Sequence, residues 1–112
     1  MSVTGGELML IDVDDGTSRL GGNLALYKKL LQKFIDGNYT QAIETELAAG
    51  NMEAAVAAAH TIKGVAANLS LKRVNALALD LEQQLKNAQP YEETFTLLKA
   101  AAEDTVAEIN AL

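Results

Sequence analysis

The chain contains no cysteine, which excludes disulfides and thiol catalysis and removes the usual zinc ligands. Histidine occurs once, and one imidazole among scattered carboxylates is a weak basis for a transition-metal site. Basic residues are few: nine against fifteen acidic ones, for a net charge of −6. No basic cluster stands ready for the phosphates of a nucleic acid, and contact with an anionic membrane is disfavoured on the same ground. The opening stretch MSVTGGELMLIDVDDG lacks the basic leader and long apolar run of a signal peptide. No segment approaches the apolar length of a membrane span. The expected location is the cytoplasm. Alternating strand-like runs, internal repeats and low-complexity tracts are missing as well.

What remains is a length of 112 residues, 49% of them hydrophobic. That suits one domain with a core that needs neither disulfides nor metal. Glycine and proline divide the chain at Gly21-Gly22, Gly37-Asn38, Gly50-Asn51 and Gln89-Pro90, with a further break at Ser70. Between the breaks the apolar residues recur at three- and four-residue intervals. Leu24, Tyr27, Leu31 and Phe34 mark one stripe, with Asn23 to cap its start and Gly37 its end. A shorter helix carries Tyr39, Ile43 and Leu47 and closes at Gly50. Asn51 then caps a long helix with the stripe Met52, Ala55, Ala59, Ile62, Ala66 and Leu69. The next begins near Ser70 and buries Val74, Leu77, Leu81 and Leu85. After Pro90 the last stripe runs Tyr91, Phe95, Leu98, Ala102, Thr105, Ile109 and Leu112. Short connections between such helices predict an all-α fold, an antiparallel up-and-down four-helix bundle with additional N-terminal helices. The bundle uses the last four helices; Leu24–Asp36 and a short piece at Asp12–Leu20 pack over one end. Residues 1–10 read as a tail or linker and residues 11–112 as the domain.

The single histidine lies in AAAHTIKGVAAN, residues 57–68. His60 is about 100° around the helix from the buried Ala59, at the edge of the inner face and open to solvent. Val56, Ala57, Lys63, Gly64 and Ala67 share its strip. A lone helical histidine, a lysine and an alanine-rich stretch all have ordinary readings as solvated surface and good helix formers. Gly64 does not. Mid-helix glycine costs about 0.8–1.0 kcal/mol relative to alanine, so a site that keeps it benefits from having no side chain. No G-x-S-x-G elbow and no nucleotide-cradling G-x-x-x-x-G-K-[ST] or G-x-G-x-x-G loop occurs. The domain is then no kinase by itself. An imidazole that carries phosphate, by contrast, would gain from an ammonium at i+3, and a gap at i+4 would clear the approach.

At these residues the sequence resembles the histidine-phosphotransfer (HPt) domains of bacterial phosphorelays. AHTIKGVAANLS is similar to their A-H-x-[LI]-K-G signature. IDVDDGTSRLGGNLALYKKLLQKF, LAAGNMEAAVAAAHTIKG and ALALDLEQQLKN resemble family segments in the same order, so the likeness runs from Ile11 on. It implies that His60 is the phosphoacceptor, that Lys63 stabilises the phosphoryl group and that Gly64 opens the surface. In some members a carboxylate or amide on the next helix bonds the other imidazole nitrogen, and Glu82 stands at that position; a solvated carboxylate is its equal rival. Ser70 departs from the family, which has glycine at that turn. Serine could instead cap the following helix, with altered backbone angles.

The resemblance further implies a phosphoryl shuttle between aspartates of response-regulator receiver domains. The receiver would supply the acidic pocket and its Mg²⁺, and this domain would bind no cofactor or metal. Val56, Ala57, Gly64 and Ala67 form the candidate docking strip, although Val56 could equally be core. The rival function is a helical-bundle interaction module that binds receivers without carrying phosphate. The expected state is a monomer, because each apolar stripe is consumed by the bundle. The linker-like start before Ile11 fits an HPt module of a hybrid sensor kinase, acting in cis, whose parent is free to sit in a membrane.

Overall fold

The computed structural model describes residues 8–112. Six helices follow in order: α1 (Val13–Ser18), α2 (Leu24–Gly37), α3 (Tyr39–Ala48), α4 (Met52–Asn68), α5 (Lys72–Lys86) and α6 (Glu92–Asn110), with no strand among the described residues. The starts of α1, α2 and α4 are set by side chains that satisfy free backbone donors. Asp12, Asn23 and Asn51 accept from the backbone N–H groups of Asp15, Leu26 and Ala54 at 3.1, 3.0 and 3.2 Å. Gly50 closes α3 with a left-handed φ of 72°. Between α2 and α3 the left-handed residue is Asn38, φ 51°, and not Gly37, which stays helical. Gly37 is small for another reason: a Cβ there would run into the Tyr39 ring.

Helices α3 to α6 form the bundle. α4 lies between α3 and α5, and α6 returns beside α5 and α3. Opposed contacts give the direction: His60 meets Glu82, while Lys63, further along α4, meets the earlier Asn75 on α5. α4 and α5 are therefore antiparallel. Ala55, Ala59, Ile62 and Ala66 are the buried stripe of α4, and three alanines out of four let α5 approach closely along its length. Val74, Leu77, Leu81 and Leu85 face them from α5, with Phe95, Leu98, Ala102, Thr105 and Ile109 from α6. α2 adds Tyr27, Leu31 and Phe34. Leu24, Met52 and Leu112, expected on inner stripes, are exposed. Each stands at or beyond a helix end, where the apolar period continues past the last neighbour able to cover it. Tyr39, Leu47 and Tyr91 are half-buried.

The turn from α4 to α5 is held from the N-terminal side. Ser70 is 1% exposed and takes a left-handed φ of 58°, so serine keeps the glycine-like conformation instead of changing it. Nor does it cap α5, whose N-cap position is Leu71. Its hydroxyl donates to Asp15 Oδ2 on α1. The Ser70 carbonyl accepts from the Asp12 N–H at 3.0 Å, and the Tyr27 hydroxyl donates to the Leu69 carbonyl at 2.5 Å. Burial, reinforced by the charges of Asp12 and Asp15, pushes the Tyr27 phenol up to about 12, so it remains a donor. Residues 1–7 of the expected tail lie outside the described residues. The remainder lies against the domain: Arg73 Nε donates to the Leu8 carbonyl at 2.9 Å, and Leu10 packs on the core.

Candidate functional site

α4 carries His60 on its solvent side, with the side chain 67% exposed. Its partner comes from the next helix. Glu82 sits on α5 between Leu81 and Leu85, which face the core, and is itself only 4% exposed. The Glu82 Oε2 atom is 3.1 Å from His60 Nδ1. A carboxylate can only accept, so the proton of the neutral ring is assigned to Nδ1, and Nε2 keeps its lone pair.

Glu82 is charged despite its burial. Burial alone would push its carboxyl up. The ammonium groups of Lys63 and Lys86, with the His60 ring N–H, outweigh that and hold it at about 2. Lys63 Nζ is 2.7 Å from Oε1, and Lys86 Nζ is 3.0 Å from Oε2. The imidazole is thus one of three groups gathered on a single buried carboxylate. Lys63, one turn along α4 from His60, rests on Glu82. The Asn75 side chain donates to the Lys63 carbonyl at 3.0 Å, fixing the backbone at this turn.

Gly64 is exposed, and a Cβ built on it would meet nothing within 4 Å. No neighbour among the described residues requires glycine there. Ala57 and Ala67 are exposed on the same side, and the Ala67 carbonyl accepts from Arg19 Nη1 at 3.3 Å. Val56 is half-buried and packs against the core. Three of the four docking candidates therefore share an open face with His60, and Val56 stands partly behind them.

Sequence reasoning missed two features. Lys86 is one; its signal was available in the four-residue spacing from Glu82, which places acid and base on one helix face. The other is a groove of about 580 Å³ beside α4, lined by Leu20, Leu30, Val65 and Asn68 with Arg19 and Lys33 at its rim. Its walls come from four separate segments, Tyr39 of α3 included, and no periodicity within one of them announces it.

Chemically, the site offers an accessible ring nitrogen with a fixed tautomer, a carboxylate able to compensate positive charge on the ring, and an ammonium one turn away. Among the described residues, no group of three or more His, Cys, Asp or Glu residues is placed to hold a metal ion. No described helix is long and apolar enough to cross a membrane. No curated protein and no solved structure matches the chain. The family model of the Hpt domain matches residues 29–109, a stretch that runs from α2 to the end of α6 and contains His60, Lys63, Gly64, Glu82 and Lys86. With that match covering most of its length, the chain belongs to the Hpt domain family, whose members act with response-regulator receiver domains in two-component phosphotransfer.

Proposed function

We propose that the domain relays a phosphoryl group between receiver aspartates through His60 Nε2. The observation that carries this reading is the exposed imidazole whose Nδ1 is tied to the buried, charged Glu82. In the forward step the Nε2 lone pair attacks the phosphorus of an aspartyl phosphate. The bond from phosphorus to the aspartate oxygen breaks, and the aspartate leaves as a carboxylate. The ring keeps its Nδ1 proton and becomes a phospho-imidazolium, whose positive charge faces Glu82. Protonation of the ring keeps imidazole a good leaving group for the reverse step, so one residue can serve as acceptor and donor. Lys63 stabilises the charge on the transferring oxygens.

The receiver supplies the acidic pocket and its Mg²⁺. It docks over Ala57, Gly64 and Ala67, with Val56 behind them, and extends toward the groove at Leu20 and Leu30. The domain acts in the cytoplasm as a monomer, and the chemistry is the same whether the receiver is separate or linked in cis within a hybrid sensor kinase.

The test uses two donors: a receiver labelled on its aspartate, and phosphoramidate, which needs no docking surface. Wild type is expected to gain acid-labile, base-stable phosphate from both. His60→Gln should gain none from either while keeping its helical circular dichroism, since glutamine is a good helix former. Gly64→Leu should still react with phosphoramidate but lose at least about a hundredfold in rate with the receiver, the scale that misplacement of reacting groups produces. Label on His60→Gln would sink the acceptor assignment. Undiminished receiver transfer to Gly64→Leu would remove Gly64 from docking. Binding of the receiver without label on wild type would favour the non-phosphorylated interaction module.

A further inference from the structure

Glu82 presents an unequal arrangement of partners. Its Oε1 has a single cation, Lys63, at 2.7 Å. Its Oε2 is shared by His60 Nδ1 at 3.1 Å and Lys86 Nζ at 3.0 Å. The two lysines come from different helices. Lys63 belongs to α4 with the nucleophile, whereas Lys86 rises from the last turn of α5, one turn beyond Glu82 itself. Oε1 is fully buried and receives no aligned hydrogen bond among the described residues. Lys63 therefore holds it as a close ion pair only.

This poses a problem for the reaction. Lys63 rests on Oε1 at 2.7 Å, on the Nδ1 side of the ring, whereas a phosphoryl group would stand on Nε2, so serving it draws Lys63 away from Oε1. Without Lys86, moving Lys63 off a carboxylate that is 4% exposed would leave it only the His60 ring, which carries no added positive charge until the phosphoryl group has been transferred. A buried charge short of partners keeps more of its desolvation penalty. The lysine would stay where it rests. Lys86 removes that obstacle: it is placed on the other oxygen and remains there when Lys63 departs.

We propose that Lys86 is a positioning residue for phosphotransfer, keeping Glu82 compensated at Oε2 so that Lys63 is free to move from Oε1 to the phosphoryl oxygens. This rests on His60 being the phosphoacceptor. Lys86 Nζ is placed on Oε2, the same oxygen that His60 Nδ1 meets, and in this proposal it acts on Glu82 and not on the phosphoryl group. Its action runs entirely through Glu82, and that gives the proposal its signature.

The experiment measures the rate of His60 phosphorylation by phosphoramidate in five proteins: wild type, Lys86→Gln, Lys86→Arg, Glu82→Gln, and Glu82→Gln with Lys86→Gln. Thermal melts accompany each, so that rates are compared on folded protein. Lys86→Gln is expected to slow the reaction about tenfold, less than the loss of one direct oxyanion donor. Lys86→Arg should recover most of the rate. In the Glu82→Gln background no carboxylate detains Lys63, and Lys86→Gln should bring no further loss. A residue that only stabilises the end of α5, or that acts on the phosphoryl group by its field, would slow both backgrounds by the same factor. Equal losses in the two backgrounds would overturn the proposal, as would a Lys86→Gln rate equal to wild type. Absence of label on His60 in wild type would end the phosphoacceptor reading and this inference with it. Normal wild-type labelling with an indifferent Lys86→Gln would end this inference alone.

Discussion

Glu82 and Asp15 are each met by two lysine or arginine cations and by one further donor from α4 or the turn that follows it. For Glu82 these are Lys63, Lys86 and the His60 ring. For Asp15 they are Arg19 at 3.3 Å, Lys72 at 3.4 Å and the Ser70 hydroxyl, all on Oδ2. Both carboxyls lie below their ordinary values. Burial separates them: the Glu82 side chain is 5% exposed and that of Asp15 is 36% exposed. In the first cluster the charges act on one another with little screening, so moving one group changes the demands on the rest. In the second, water screens the cations, and the durable contribution is the bond that pins Ser70. The same kinds of groups hold an imidazole in one cluster and a backbone turn in the other.

The largest expected difference between the clusters is their response to acid. The Glu82 carboxyl is depressed from 4.5 to about 2 on folding. A group whose folded value is depressed contributes stability above its unfolded value and loses it as pH falls through the folded one. Its contribution is present above about pH 4.5 and disappears toward pH 2. At 1.36 kcal/mol for each unit, that contribution is about 3 kcal/mol at neutral pH. Denaturant melts of wild type and Glu82→Gln between pH 6 and 2 should therefore converge as pH falls, with the wild type losing more. Parallel curves would show that the charge of Glu82 is no better stabilised in the folded state than in the unfolded one.

A smaller effect is expected at Ser70, where the second cluster meets the backbone. Ser70→Ala keeps a side chain in the left-handed region and loses the bond to Asp15, so it should melt below wild type. Ser70→Gly also loses the bond but removes the steric cost of that conformation, about 1 kcal/mol. The glycine protein should exceed the alanine protein by that amount. Equal melting temperatures for the two would mean that the turn relaxes and that φ at this position carries no strain.

These two clusters also mark the limits of reading the sequence. The bundle was legible because burial imposes a three- and four-residue period, and Ala55, Ala59, Ile62 and Ala66 obey it throughout. The period says nothing about where packing stops, and so Leu24, Met52 and Leu112 fall outside the core. His60, Lys63 and Gly64 lie within one turn of each other, so their strip could be drawn on a helical wheel. Glu82 could be placed only through the family resemblance, since 22 residues separate it from His60. Ser70 was misread because its partner, Asp15, is 55 residues away. From local sequence a serine before a helix looks like a cap. Its hydroxyl was already engaged by α1, and the fold alone brings α1 there.

The smallest expected effect sharpens the comparison between the clusters most directly. Asp15→Asn leaves an oxygen for the Ser70 hydroxyl and removes only the attraction to Arg19 and Lys72. Because that carboxylate is open to water, the lost attraction should be screened by salt. The Debye length falls from about 30 Å at 0.01 M to about 3 Å at 1 M. The melting temperature of Asp15→Asn should lie slightly below that of wild type at low salt, and the gap should close as salt rises. For Glu82→Gln the gap should survive more of the same titration, because the Glu82 side chain is 5% exposed and its carboxylate is largely shielded from solvent ions. Sodium chloride titrations of all three proteins at neutral pH provide the measurement. A gap for Asp15→Asn that persists undiminished at 1 M would place its charge in the same unscreened setting as Glu82 and erase the distinction drawn from burial.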